Sequence, residues 1–546
     1  MASSQKLGRL VIIKGDADFS ITEDGSPTFV YCIDRELPST TSAKVEVIND
    51  HDLLHSYALK IRDEYSKWVY TFNEEFLSHG IKKHDLSLFF LSDFSCKRSE
   101  LFDTYNSICS LLLIRDKIRD TPIVEASLIG LEASFCRAFS SMFPDIRVSV
   151  IQERGEKFGL WRSLTSDLMY LFETAFVGVI NLFEMGQLRR SDQFDGRYFF
   201  SPYPKHLKPN QTDGPDIKYR RFAKTEDRYL VSILMDGFHQ HVGLRRFFKL
   251  KKELPSGRFT LLDSYIRPFD VLFGIYWLLI GRIYSMTAKK RQYRFLGIDL
   301  TAYVQTELLV SFSRIARLMV MEKQLRRFFN YHKIKEFVYI LHEYPIGRLL
   351  SYVLGTVPNK PLRIGFQHGP ASWIKMLYFL APGESGSDPP FLNHVPIPDR
   401  VLAEDPTSVE IYKHAGYLDV QIMESVYRLD YLDGVRGNRD AQRVLIVPGL
   451  HDGQLLLSIM KNFICQNPAL LCYFRPHPRA NNSYLSLFKY FPNVRISYEP
   501  IEELLQNVSK VFVTYSSVGV EAKWLGLDVT IVDIPGKLNE SPLLDG

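Results

Sequence analysis

The stretch RVLIVPGLHDGQLLLSIMKNFICQNPALLCYFRPHP at residues 443–478, followed by VSKVFVTYSSVGVEAKWL at 508–525, decides how this chain is read. Residues 443–447 and 470–474 are short runs of apolar and β-branched residues, and 455–465 between them is apolar at helical spacing. The same alternation continues through strands at 494–497, 511–514 and 529–532 and helices at 484–490, 500–507 and 518–525. Short strands that alternate with amphipathic helices predict a parallel sheet covered on both faces, a Rossmann-like half.

In an open parallel sheet ligands bind at the carboxyl ends of the strands, where the loops converge. The distinctive polar residues stand there: Arg475 and His477 after 470–474, Ser516 and Ser517 after 511–514, and the 449–453 loop after 443–447. Arg475-Pro476-His477-Pro478 sets an imidazole between two prolines, which restrict their own φ and that of the residue before them. A stiff loop can hold His477 for a hydrogen bond to phosphate, with Arg475 as fixed positive charge; a turn with an incidental histidine is the plainer alternative. Ser516, Ser517 and Gly519 begin a helix, where free N–H groups favour an anion. A serine N-cap with Glu521 in the first turn needs no ligand. Glu499 stands ready to accept ribose hydroxyls or to cap the helix after Pro500.

Working back from this stretch, strands at 336–341 and 362–366 end in His342-Glu343 and in Gln367-His368-Gly369-Pro370. Glu343 is a candidate general base or nucleophile and His368 a second imidazole beside a glycine. An ion pair from Glu343 to Arg348 is the structural alternative, and Asp93 and Asp16 are weaker acid/base candidates. Residues 382–398 (PGESGSDPPFLNHVPIP) carry the Gly, Pro and Asp of a linker. Earlier still, a strand at 10–13, a helix at 55–76, a strand at 86–91 and helices at 101–118 and 125–142 again read as an α/β layer, whereas 155–330 reads as a helical insertion on the acceptor side. The expectation is therefore an α/β chain with two Rossmann-like domains facing a cleft: 1–390 with the insertion, and 391–546 as the nucleotide-binding half.

A chain of 546 residues is too long for one ordinary core, and 46% hydrophobic with 24% charged residues is an ordinary globular composition. A net charge of +5 gives no nucleic-acid footprint. Six scattered cysteines and no visible signal peptide lead us to expect reduced thiols in a cytoplasmic protein. No P-loop, GxGxxG, HExxH or DxD loop is present, so a metal-independent site without a resident cofactor is expected. Uncharged runs at 174–183 and 271–281 are about half the length that spans a bilayer. They read as buried core helices, or as a peripheral membrane contact in which Lys289, Lys290, Arg291 and Arg294 face anionic lipid.

Four elements resemble bacterial capsule and surface-carbohydrate biosynthesis glycosyltransferases of the GT-B fold: Gly365-Phe366-Gln367-His368-Gly369, Gly416-Tyr417 followed by Glu424-Ser425-Val426-Tyr427-Arg428, Arg475-Pro476-His477-Pro478, and 516–522. They span 336–535; the first 335 residues match far less. Bacterial sialyltransferases share a similar His-Pro and paired-Ser arrangement. The resemblance implies a CMP-activated ulosonic sugar donor such as Kdo or a sialic acid, and a glycan or lipid-linked glycan acceptor in capsule or lipopolysaccharide synthesis. It places the work in the cytoplasm or at the inner face of the cytoplasmic membrane. On this reading His477, Ser516 and Ser517 hold the CMP phosphate, Glu499 holds the ribose, and Glu343 and His368 face the reacting sugar carbon. CDP-glycerol-type glycerophosphotransferases, nucleotide-sugar 2-epimerases and a non-catalytic scaffold paralogue are the competing readings.

Overall fold

The computed structural model describes residues 7–15, 17, 26–36, 45–155, 160–188, 196–209, 211, 214–234, 243–254, 257–288, 291–341, 344–438, 442–450, 452–478, 480 and 483–545. The chain is α/β and folds around three parallel sheets laid down one after another. The first unit runs β1 (Gly8–Lys14), β2 (Thr28–Ile33), β3 (Val45–Val47), α1 (His51–Ser78), a small hairpin of β4 (Lys82–Lys83) and β5 (Leu86–Ser87), α2 (Thr104–Lys117), β6 (Ile123–Ile129), α3 (Ala133–Met142) and β7 (Arg147–Ile151).

The second unit opens with α4 (Leu160–Leu188), β8 (Arg197–Ser201), β9 (Arg228–Val231), α5 (Leu244–Glu253), β10 (Phe259–Leu261) and α6 (Asp270–Ala288). A hairpin of β11 (Arg294–Phe295) and β12 (Ile298–Asp299) leads to the long α7 (Thr301–Tyr331). Then follow β13 (Glu336–Ile340), α8 (Tyr344–Thr356), β14 (Leu362–Phe366), the short pair β15 (Ser385–Gly386) and β16 (Val395–Pro396), β17 (Arg400–Ala403), α9 (Pro406–His414) and β18 (Val420–Ile422). The third unit is β19 (Arg443–Val447), α10 (Gly453–Gln466), β20 (Leu471–Phe474), β21 (Val494–Ile496), α11 (Ile501–Gln506), β22 (Lys510–Val513), α12 (Val518–Trp524) and β23 (Asp528–Ile531).

All three sheets share one spatial logic. Their orders are β3-β2-β1-β6-β7, β10-β9-β8-β13-β14-β17-β18 and β21-β20-β19-β22-β23. In each, the first strand lies inside the sheet, the next two stack on one side and the later ones on the other. Strand order thus reverses between β1 and β6, β8 and β13, and β19 and β22, and a crevice opens at their carboxyl ends. The central strands are buried on both faces, which is why RYFFS, EFVYI and RVLIV read as continuous apolar runs rather than alternating ones. One large core joins the first two units, whereas the third sheet carries a separate core on each face.

After β23 the chain leaves the third sheet and crosses to the other two. Asp34 N–H donates to Pro535 O (3.0 Å), Asn106 both donates to Gly536 O (2.9 Å) and accepts from Leu538 N–H (2.7 Å), and Trp373 N–H donates to Asp545 (3.0 Å). Gly536 has φ +70°, and a Cβ on it would stand 2.5 Å from Cys32 O, so this crossing point admits little but glycine.

The α/β class and the third sheet agree with the sequence reading, and three details differ. First, 155–330 is not purely helical: it contributes β8, β9 and β10 to the second sheet. Second, a division at 390/391 falls inside that sheet, because β17 and β18 pair onto β14. Third, 125–142 is not one helix, since 123–129 is the strand that pairs with β1, and 86–91 is largely a 3₁₀ turn. In addition, α4 and α6 are long and apolar enough to cross a membrane; each sets one side into the large core, through residues such as Leu171, Val177, Trp277 and Tyr284, while more than half of its apolar window is not buried. Of the six cysteines, Cys465 is exposed, the rest are buried, and all are free.

Glu307 on α7 is buried against α2, where the Thr104 hydroxyl donates to it. Burial pushes its pKa up to about 8, tempered by Thr104. A folded-state pKa above the unfolded one means that its favourable contribution is complete below the unfolded carboxylate range and is lost as pH rises through about 8. Thermal melting of Glu307→Gln should therefore lie above the parent at pH 9 and converge with it near pH 5.

Candidate functional site

Among the described candidates, Arg475, His477, Glu499, Ser516 and Ser517 follow strands of the third sheet, and His368 follows β14 of the second. In the third sheet, Arg475 is anchored by its backbone N–H to Ile446 O (3.0 Å), and Ala480 N–H closes a turn onto His477 O (2.9 Å). The Arg475 side chain is half-buried, and its Nη1 is buried with no hydrogen-bond partner. Burial lowers its pKa, against the opposing fields of Glu502, Tyr431, Glu521 and Glu499. An unpaired buried guanidinium nitrogen is costly unless something arrives to satisfy it.

Across the β19/β22 crevice, Ser517 is the N-cap residue of α12 but makes no side-chain cap hydrogen bond. Its hydroxyl reaches Glu521 at 3.5 Å, and the Ser516 hydroxyl accepts weakly from Val518 N–H at 3.4 Å. Gly519 N–H is already bonded to Ser516 O (3.1 Å). Its missing Cβ keeps α12 close to the sheet, because a Cβ would stand 2.9 Å from Val513 and 3.2 Å from Leu543. Glu499 is exposed and bonds to the Ser497 hydroxyl (3.3 Å); α11 starts after Pro500, so Glu499 is not its cap.

Two acids here carry no site role in the sequence reading, where Glu521 is only a first-turn residue of its helix. Asp452, the residue before α10, has both carboxylate oxygens buried without a hydrogen-bond partner, and burial raises its pKa, tempered by the Thr514 hydroxyl. The Thr514 hydroxyl also accepts from Gly449 N–H (3.1 Å), tying the β19 loop to the β22 loop. Glu521 is buried on the α12 face, and burial likewise raises its pKa against Tyr431, Arg428 and Arg220. The available signals were modest: an Asp before a Gly after a strand, and a Glu in the first turn of a helix.

In the second sheet the loop that carries His368 is held by its neighbour. Gln367, 1% exposed, donates to Gly369 O (2.8 Å) and Ser408 Oγ (3.1 Å) and accepts from Glu404 N–H (2.8 Å). Glu404 accepts two hydrogen bonds from Arg428 at 2.8 Å, and Arg428 acts electrostatically on Glu521. Hydrogen bonds thus lead from the His368 loop through Gln367 and Glu404 to Arg428, whose charge acts on Glu521, and Glu521 in turn lies 3.5 Å from the Ser517 hydroxyl. Nearby, the Arg220 guanidinium covers the Tyr431 ring at 4.6 Å. These contacts put the His368 loop and the Ser516 loop on one junction between the second and third units.

Glu343 lies outside the described residues, as does Asp16. The turn that follows Glu343 is described, and it is densely charged. Tyr344 begins α8 at φ +53°, donates to Glu100 (2.9 Å), and lies under the Arg98 guanidinium at 3.5 Å. Arg348 donates to Ser95 Oγ (2.7 Å) and Phe90 O (3.2 Å), which commits it to the first unit. Asp93 is fully buried between Arg98 (2.7 Å) and Arg314 (2.9 Å), a structural clasp rather than an exposed acid or base. Burial opposes the charge on Lys375, but Tyr378, Glu100, Glu540 and Tyr344 together hold its pKa above the usual lysine range. Burial raises the Glu540 pKa, opposed by Lys375. Beneath this turn lies a cavity of about 30 Å³, room for about one water, lined among others by Tyr344, Arg348 and Tyr417.

Among the described residues no group of three or more His, Cys, Asp or Glu is placed to hold a metal. No protein-family model and no curated protein matches the chain. Solved structures similar to it include UDP-N-acetylglucosamine 2-epimerase from Rickettsia bellii, at 10% identity and TM-score 0.33 over 65% of this chain and 86% of that one. The wall teichoic acid polymerase TagF is similar at 12% identity and TM-score 0.28, over 66% and 78% of the two chains. A histidine-to-asparagine TagF variant with CDPG gives 12% and 0.29, over 69% and 79%. Likenesses this loose transfer neither a substrate nor a residue's role.

Gln367→Ala would leave the buried Glu404 N–H without its acceptor, a loss of about 2 kcal/mol. Urea unfolding should report that loss as a lower midpoint.

Proposed function

We propose that the chain is a glycosyltransferase of surface-polysaccharide synthesis that takes a sugar from a CMP-linked ulosonic acid donor and delivers it to a glycan or lipid-linked glycan at the inner face of the cytoplasmic membrane. The observation that carries this reading is the buried, unpartnered Nη1 of Arg475, on the same carboxyl edge of the third sheet as the Ser516-Ser517 turn. An anion seated there satisfies a donor that otherwise has no partner, and two hydroxyls stand at the same end of the sheet. A nucleoside monophosphate diester fits that donor set without a metal ion.

The roles then follow by position. Arg475, Ser516 and Ser517 bind the phosphate of the donor, and Glu499, exposed at the rim, accepts from the ribose hydroxyls. His477 sits in the same loop as Arg475 and can donate a hydrogen bond to the departing phosphate, which stabilises charge where it develops. Glu343 or His368 removes the proton from the acceptor hydroxyl. Burial raises the pKa of both Glu521 and Asp452, a shift that favours their uncharged form and so weakens their repulsion of a phosphate.

Nucleotide titration by thermal shift tests the proposal. CMP at about a hundredfold over its Kd should add roughly 2.7 kcal/mol by mass action, Arg475→Ala and His477→Ala should abolish the shift, and UDP should give a smaller one. A preference for UDP, or no response to any nucleotide, overturns the donor assignment. Glu343→Gln should keep the CMP shift and lose transfer by at least a hundredfold; full activity in that variant removes Glu343 from the chemistry.

A further inference from the structure

The second unit turns its polarity inside out along α4 and α6. Within 165–183 and 270–288 the charged side chains point inward. Asp167 accepts from Arg317 (2.9 Å) and faces Arg282 (3.7 Å), Asp270 accepts from Arg267 N–H (2.8 Å) and pairs with Arg327 (2.5 Å), and Glu173 is buried. The outward positions are large and apolar instead. Phe172, Phe176, Val179 and Phe183 recur at helical spacing on α4, and Leu272, Leu279 and Met286 do so on α6, with Phe183 87% exposed. These two helices and the adjoining Phe269 hold about half of the exposed large apolar side chains among the described residues. A stripe of this kind is far larger than the scattered apolar residues that ordinary surfaces carry.

The two stripes form one surface. The helices touch each other and both rest on α7: a Cβ on Gly274 would stand 2.7 Å from Leu171 of α4 and 3.0 Å from Val320 of α7, and one on Gly281 would stand 2.5 Å from Phe312. Each helix therefore has one side fixed to the protein and the opposite side open, which suits a helix lying in the plane of a bilayer rather than one crossing it.

The rim is basic. Arg267 stands exposed beside Phe269 at one end of α6, and the Lys323 ammonium lies 4.1 Å from the Phe273 ring. Helix α5, LRRFFKLKKE, begins at Gly243 against Glu173 of α4 and exposes Arg245, Phe248, Lys249 and Lys252. Apolar surface bordered by lysine and arginine complements the headgroup boundary of an anionic membrane, where acyl chains meet negative charge.

We propose that this face, built from α4, α5 and α6, seats the protein on an anionic lipid bilayer as a monotopic membrane-surface protein. The proposal is independent of the donor assignment, since it concerns a different face and reads out as lipid binding. Vesicle flotation of the full chain is the test, with vesicles of phosphatidylcholine alone and of phosphatidylcholine with about a third phosphatidylglycerol. The chain should float with the anionic vesicles at least tenfold more than with the neutral ones. The double variant Leu272→Glu and Leu279→Glu should lose that binding tenfold or more, with melting unchanged because both side chains are exposed. Lys249→Glu with Lys252→Glu should reduce the preference for anionic lipid. Failure of the parent to float with either vesicle overturns the proposal, as does unchanged flotation of the Leu272/Leu279 variant. A lipid-free dimer that this variant splits, without vesicle binding by the parent, assigns the face to a second copy of the chain and overturns it equally.

Discussion

The strap at 532–545 is the constraint on which the arrangement of the molecule depends. It carries no regular strand beyond β23, yet its hydrogen bonds to Asp34, Asn106 and Trp373 tie the third sheet to both of the others. Lys537 reinforces it from between Asp34 (3.4 Å) and Asp103 (4.0 Å), two acids that hold its charge in place despite burial. Without these contacts the third unit, whose cores are separate from that of the first two, would be joined to them chiefly through the contacts of Arg220, Arg221 and Arg428.

What gathers at this junction is a set of polar groups that folding leaves short of partners. Arg475 Nη1, both oxygens of Asp452 and one of Glu521 are buried without a hydrogen bond, the first two residues on loops after strands of the third sheet and the last in the first turn of α12. Such groups cost stability wherever they occur, and these stand at the carboxyl ends of the strands beside the strand-order reversal. The second sheet treats its corresponding loop in the opposite way: every polar atom of the Gln367 side chain is satisfied, which fixes the His368 turn. One side of the junction is rigid, and the other is electrostatically incomplete.

The same economy explains α4 and α6. A protein with three sheets has apolar side chains enough to fill its cores, and here it also sets phenylalanine and leucine outward while turning Asp167, Glu173 and Asp270 inward. Glycines at 274 and 281 let α6 settle on α7 and α4, so that the outward stripe is presented on a firm base.

The amino-acid sequence alone determined the α/β class, the order of strands and α-helices in the third sheet apart from the expected helix at 484–490, which is a 3₁₀ stretch, and the loops bearing Arg475, His477, Ser516, Ser517 and His368. Local patterning suffices there, because each element is apolar at its own period and each site residue directly follows a strand. It did not determine that Ile123–Ile129, with its Glu, Ala and Leu, is a strand: pairing with β1 overrides their helical preference. Nor did it reveal β8, β9 and β10, which are three to five residues long, two of them opening on an arginine, and which become strands by lying beside one another and β13. Which polar groups stay unpaired, and which apolar helix faces stay uncovered, was decided by tertiary structure alone, because burial and partnership are properties of neighbours distant in the chain.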